Sequence, residues 1–287
     1  MISKKTTYAI ILTSCSVIFA TIGLFYYITN PAQKTVPSLS DSRYFVAHAT
    51  GSIEGYTYLN SKESLLRSLN NGYKYVEFDL QYTSDSTIVC VHNWEQFNKS
   101  TIPSITENDS SQYMTIPSYA EFKARKIYGK YTPLSLQDVI SMQRQTHFTI
   151  VTDIICDAEA LNKYFEKDIR RNVMVEAFSE KDYELLKSSG YTPMLSLGCL
   201  SIFNGGIIFL ISQIFKKDCD WIVVEQHSSK RTLRLLRKLL GVKIALYTVN
   251  SSSFFSWHLG NDDVDLIYTD NWNLKKQLND YQDNSTR

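Results

Sequence analysis

The sequence predicts an α/β domain on a parallel sheet, of the size of a (β/α)8 barrel and preceded by one N-terminal transmembrane helix. Three observations predict it. Short apolar runs alternate with amphipathic ones along the chain. The stretch from Asp41 to Arg287 is close to the roughly 250 residues that such a barrel takes. Tyr8 to Ile28 is an apolar run without a charge.

As a helix that first run extends about 31 Å, enough to cross a bilayer core. Lys4 and Lys5 precede it, so the positive-inside tendency keeps residues 1–7 in the cytoplasm and places the rest of the chain outside the membrane. The run outlasts the hydrophobic core of a cleaved signal peptide, and no small-x-small site follows it. Leu12-Thr13-Ser14-Cys15 has the outline of a lipoprotein box, yet the residues after Cys15 stay apolar, so an uncleaved anchor over 8–28 is expected. Residues 29–42, rich in Pro and Ser, read as a linker. Residues 43–275 are assigned to the folded domain and 276–287 to a polar tail.

Eight segments read as strands: Tyr44 to His48, Tyr75 to Leu80, Ile88 to His92, Phe148 to Asp153, Val173 to Phe178, Pro193 to Leu197, Trp221 to Glu225 and Ile244 to Val249. Helix-like segments lie between most of them: Ser61 to Leu69, Leu136 to Met142, Glu180 to Lys187 and Lys230 to Leu240. Length and alternation alone leave a closed barrel and an open doubly wound sheet both standing. One connection departs from the alternation. Too few residues separate Asp79 from Ile88 for a crossover helix, so a hairpin is expected there. With its turn at Ser84-Asp85, Glu77 faces His92 and Asp79 faces Cys90.

Composition excludes some functions. Thirty Lys and Arg balance 29 Asp and Glu for a formal charge of +1, which leaves no basic excess for tracking nucleic acid. Hydrophobic residues make up 44% of the chain, enough for one sizeable core and too many for a disordered one. Five cysteines with no Cys-x-x-Cys pair indicate neither a zinc ribbon nor a disulfide framework, and Cys199 to Cys219 is the one weak bridge candidate.

The chemistry sits at strand ends. His48, Glu77 with Asp79, His92 and Asp153 each close or occupy an otherwise apolar strand, and barrel enzymes place catalytic groups at that end. Three carboxylates crowded into an apolar setting call for a cation. An all-oxygen set suits Mg2+ or Ca2+. Two imidazoles beside such an ion supply a general base and a general acid, the requirements of phosphodiester cleavage. A glycosidase using Glu77 and Asp79 is disfavoured, because carboxylates two apart on one strand cannot flank a bond from opposing sides.

These residues resemble a known family. His48, Asn60-Ser61 opening a helix, the run Gly72 to Asp85 and Val89-Cys90-Val91-His92 are similar in order and spacing to glycerophosphodiester phosphodiesterases, relatives of the phosphatidylinositol-specific phospholipases C. The likeness continues through Val151-Thr152-Asp153, Val175 to Phe178, Tyr247 to Asn250 and Ile267-Tyr268-Thr269-Asp270. His48-Ala49-Thr50-Gly51 with Glu54 to Tyr58 is closest to a bacterial subgroup. The resemblance implies an irregular TIM barrel, with His48 and His92 as the acid/base pair and Glu77, Asp79 and Asp153 as ligands of one divalent cation. It also implies attack by a neighbouring substrate hydroxyl on phosphorus, followed by opening of the cyclic product by water.

Several positions depart from the family pattern. Ala49 stands at the usual Arg, Leu59 at a Glu, Asn93 at an Asp, Asp153 at a Glu and Ile155 at a Lys. Both expected phosphate-binding cations are thus absent. Lys62 and Lys74 are the candidate replacements. The rival expectation is a catalytically silent barrel that binds phosphorylated lipid or glycan. The uncharged stretch Leu195 to Phe215 reads as a buried strand and apolar helix, with a membrane-dipping barrel-mouth element as the alternative.

Overall fold

Along each strand of the sheet, alternate side chains point to two different apolar environments, and a sheet that must bury both faces closes on itself under a layer of helices. The computed structural model describes residues 15–26, 44–102, 113–197, 219–251 and 264–270. Eight parallel strands form the barrel: β1 (Phe45–Ala47), β2 (Tyr75–Tyr82), β4 (Thr149–Asp153), β5 (Val173–Ala177), β6 (Thr192–Ser196), β7 (Trp221–Glu225), β8 (Lys243–Tyr247) and β9 (Leu266–Thr269). The order is β1-β9-β8-β7-β6-β5-β4-β2, and β1 pairs with β2 to close the ring. The ninth strand, β3 (Ile88–Cys90), is antiparallel to the far end of β2.

One set of alternate residues fills the barrel: Val46, Val151, Met174, Met194, Val223, Ala245, Leu266 and Tyr268. The other set, including Phe78, Ile150, Val175, Ile222 and Leu246, packs outward. Helices α1 (Lys62–Asn70), α4 (Leu136–Thr146), α7 (Glu180–Ser188) and α8 (Lys230–Leu240) present residues three or four apart to that outer layer, such as Leu136, Val139 and Ile140 of α4 and Leu233 and Leu236 of α8. Shorter helices lie between: α2 (Trp94–Thr101), α3 (Tyr119–Ala124), α5 (Ala158–Asn162) and α6 (Lys167–Arg170). Serine caps set several starts. Ser61, Ser135 and Ser179 each accept an amide hydrogen bond at their helix N-terminus, and Ser135 closes a capping box with Asp138.

Two details correct the sequence reading. The hairpin register is shifted by one residue: Leu80 pairs with Cys90, and the Val91 amide donates to the Asp79 carbonyl at 2.8 Å. The cause is a three-residue loop, in which Thr83 pairs with Thr87 and Ser86 takes a left-handed φ of 64°. A slip of one flips the faces, so Cys90 enters the outer core beside Leu80 instead of sharing a face with Asp79. Second, β3 lies outside the ring and β9 completes it; Leu266–Thr269 was not among the eight expected strands.

Among the described residues no helix is long and apolar enough to cross a membrane. Residues 15–26 are helical with exposed apolar side chains, Phe19 and Leu24 among them. The rest of the expected span, the linker, the polar tail, Cys199 and most of the apolar stretch ending at Phe215 lie outside the described residues.

Candidate active site

The lower barrel interior is apolar, and polar groups replace apolar ones toward the carboxyl ends of the strands. On β2 the inward series is Tyr75, Glu77, Asp79; on β4 it is Val151, Asp153; on β5 it is Met174, Glu176. Asp79 pairs in register with Asp153, and Glu77 with Val151. Each of Glu77, Asp79 and Asp153 therefore offers an oxygen within 4.8 Å of the others. This is the triad expected from the sequence.

The three carboxylates are held differently. The Ala49 amide donates to Glu77 Oε2 at 2.6 Å, while Glu77 Oε1 is buried without a partner among the described residues. Asn60 Nδ2 donates to Asp79 Oδ2 at 2.8 Å. The Ile154 amide donates to Asp153 Oδ1 at 2.6 Å. Burial, then the charges of Asp79 and Asp153, hold the Glu77 pKa well above the ordinary carboxylate range. Burial chiefly, with Asp79 adding to it, also raises that of Asp153, against the Ile154 amide and the two imidazoles His48 and His92. Such repulsion, together with an orphaned buried oxygen, suits a divalent ion with hard oxygen ligands. Sequence reasoning missed a fourth carboxylate. Glu176 is 6% exposed, its pKa is raised by burial first and by Asp153 second, and it accepts from the Tyr268 hydroxyl at 3.1 Å.

His48 follows β1 in a single 3-10 turn, His48–Thr50. Gly51 ends that turn at φ 84°, and a Cβ there would lie 2.5 Å from Ser68 Oγ of α1, so only glycine lets the turn sit this close to the helix. His48 Nδ1 lies 2.7 Å from Asp270 Oδ1, and Asn250 Nδ2 donates to Asp270 Oδ2 at 2.7 Å. A carboxylate only accepts, so Nδ1 carries the proton and the Nε2 lone pair is left free, 4.0 Å from Glu77 Oε2. Asp270 was quoted from the sequence without a role. The rule that found the other five, a polar residue closing or occupying an otherwise apolar strand, would have found it had β9 been recognised.

His92 has the opposite arrangement. Asn93 caps α2 with Oδ1, which accepts from the Gln96 amide at 2.8 Å, and this fixes which end of the side-chain amide faces His92. Asn93 Nδ2 then donates to His92 Nδ1 at 2.9 Å. Nδ1 accepts, so Nε2 of the neutral ring carries the hydrogen. Between the two imidazoles lies Tyr58, its ring 4.8 Å from that of His48 and 4.6 Å from that of His92.

A cavity of about 130 Å3 is lined by His48, Glu77, Asp153, Glu176, Phe178, Ser196, Tyr247 and Tyr268. Among the described residues no Lys or Arg lines it. Lys74, a suggested replacement cation, precedes β2 at the opposite end of the strand from Asp79, and Lys62 is exposed and lines no part of this cavity. The fully buried Ala49 and the buried Ile155 leave both family cation positions apolar.

Comparison with known proteins agrees with this geometry. The sequence profile of the Glycerophosphoryl diester phosphodiesterase family matches residues 53–196. No curated protein matches the sequence. Solved structures share the fold at low identity. A glycerophosphoryl diester phosphodiesterase from Parabacteroides distasonis has a TM-score of 0.61 at 14% identity, covering 90% of this chain and 91% of its own. A Thermotoga maritima glycerophosphodiester phosphodiesterase scores 0.58 at 18% identity, with coverage of 82% and 97%. An Oleispira antarctica phosphodiesterase, in complex with the product sn-glycerol-3-phosphate, scores 0.59 at 18% identity, with coverage of 86% and 97%. A barrel closed by β9, an acidic triad at its mouth and a profile match over half of the sequence lead to one conclusion: the chain belongs to the glycerophosphoryl diester phosphodiesterase family, enzymes that hydrolyse phosphoric diesters.

Proposed function

We propose that this chain is a divalent-cation-dependent phosphodiesterase acting on glycerophosphodiester, phospholipid or related phosphate-linked substrates, tethered by residues 8–28 with its barrel outside the cytoplasmic membrane. The observation that carries the chemistry is the acidic triad flanked by two imidazoles in opposite tautomers. The product bound to the Oleispira antarctica relative motivates the substrate class. The uncharged run and Lys4-Lys5 motivate the tether and its orientation.

Glu77, Asp79 and Asp153 would hold one Mg2+ or Ca2+, which when bound neutralises charge at a phosphoryl oxygen. His48 Nε2, held by Asp270, accepts the proton of the substrate hydroxyl that attacks phosphorus. His92 acts as the imidazolium, protonated at Nδ1 in place of the Asn93 hydrogen bond, and gives its Nε2 proton to the departing alcohol oxygen as the P–O bond breaks, which leaves a neutral ring. A cyclic phosphodiester remains. The roles then reverse: His92 Nε2 takes a proton from water as it attacks phosphorus, and His48 Nε2–H protonates the ring oxygen that leaves.

Hydrolysis of a panel of glycerophosphodiesters with Mg2+ or Ca2+ tests this reading. The wild type is expected to turn over at least one diester, with His48→Ala and His92→Ala each slowed roughly 100- to 10,000-fold. Equal and negligible rates in all three proteins would favour a barrel that binds phosphorylated lipid or glycan without cleaving it.

A further inference from the structure

The phosphate of a diester brings negative charge into a site that already carries four carboxylates, Glu77, Asp79, Asp153 and Glu176, and among the described residues no arginine or lysine lines it. Beyond a bound cation, some group must orient the non-bridging oxygens. The neighbouring cleft beside His92, lined by Tyr58, Asn93, Gln96 and Tyr128 among others, also has no lysine or arginine among its described residues.

Tyr58 is placed for that task. Its ring lies between those of His48 and His92, the base and the acid that must reach opposite sides of one phosphorus. Its backbone takes a left-handed φ of 57°, and the next residue but one, Asn60, has φ 46° while its side chain holds Asp79. Non-glycine residues in that conformation carry a backbone cost that the surrounding structure must offset. Its hydroxyl has no hydrogen-bond partner among the described residues. Burial first, then Asp270, Asp79 and Glu77, push its pKa up to about 12, so the phenol keeps its hydrogen at any working pH, and its hydroxyl end lies within the field of the acidic group.

We propose that Tyr58 donates its phenolic hydrogen bond to a non-bridging oxygen of the substrate phosphate, taking over the orienting role left vacant by the missing arginine. The assignment rests on the phosphodiesterase reading above. A neutral donor differs from a guanidinium in kind. It gives one directed hydrogen bond without cancelling charge, so neutralisation of the phosphate falls to the bound cation and not to Tyr58.

The test is Tyr58→Phe, which keeps the ring between the two histidines and removes only the donor. The proposal expects hydrolysis to fall roughly 10- to 100-fold, within the range lost with a single oxyanion donor. Inorganic phosphate, in the presence of Mg2+, should bind the variant more weakly than the wild type. Metal affinity and the thermal unfolding midpoint should be unchanged, a result that a merely structural spacer would also give. The loss of phosphate affinity distinguishes the two. A variant that hydrolyses and binds phosphate as the wild type does would overturn the assignment while leaving the phosphodiesterase reading intact. A wild type that cleaves no diester would overturn that reading, and phosphate affinity in the two proteins would then still decide the role of Tyr58.

Discussion

At the scale of single residues, the polarity of each imidazole is set by its partner. Asp270 accepts from His48 Nδ1, and Asn93 donates to His92 Nδ1. Replacing Asp270 with Asn leaves the shape and removes the charge that holds the tautomer. Activity should drop by roughly 100-fold or more, with divalent-cation affinity unaltered; a rate near that of the wild type would show that Asp270 does not govern His48. The carboxylates make a prediction about pH. Glu77 and Glu176 have pKa values raised well above 4.5, chiefly by burial. Each binds its proton more tightly folded than unfolded, so the stability it contributes is complete below the unfolded value and is lost as pH rises through the folded one. In chelator, the melting midpoint should therefore fall as the pH is raised from about 4 toward neutrality. Added Mg2+ should restore it near neutral pH and do little in acid. A midpoint indifferent to both pH and Mg2+ would contradict the picture of mutually repelling acids. The five candidate site residues were singled out from position, because a polar residue ending an apolar strand has few inexpensive destinations in a barrel, and the structure gathers the three carboxylates among them. Glu176 was not, since Val-Met-Val-Glu-Ala reads as a continuous buried run and only the ring geometry shows that its alternate residues face the mouth.

At the scale of elements, the lesson lies in how turns set register. The hairpin was predicted, and its register was not. A two-residue turn at Ser84-Asp85 and a three-residue loop ending at Ser86 are equally short in sequence, but differ by one in pairing and exchange the faces of every residue in β3. His92 joins the site because the chain leaves β3 after Cys90 and turns toward Asn93, not through ladder pairing with Glu77. β9 escaped recognition as a strand for a related reason: the four residues Leu-Ile-Tyr-Thr carry a weak apolar signal until β1 and β8 are seen on either side. The His48 turn depends on close packing with α1. In Gly51→Ala the new Cβ meets Ser68 Oγ at a positive φ, so stability should fall by about 1–3 kcal/mol, and activity should fall beyond what partial unfolding explains, because His48 moves with the turn. A Gly51→Ala variant as stable and active as the wild type would show that this turn tolerates displacement.

At the scale of the whole molecule, a closed ring places the acids of β2 and β4 next to the histidine that follows β1, although the residues are far apart in the chain. Alternation and length left open and closed sheets equally possible; β1, paired with both β9 and β2, closes the barrel. The proposed tether is tested by fractionation. Full-length chain should remain in membranes after alkaline extraction and be released by detergent, whereas release by alkali alone would remove the anchor from the account. The central claim is that Glu77, Asp79 and Asp153 share one cation beside His48. Its most direct test is a crystal soaked with Mn2+ and measured for anomalous scattering. One peak within roughly 2.0–2.5 Å of an oxygen from each of the three carboxylates is the predicted result. A peak elsewhere, or none at saturating Mn2+ with the carboxylates in place, would contradict it.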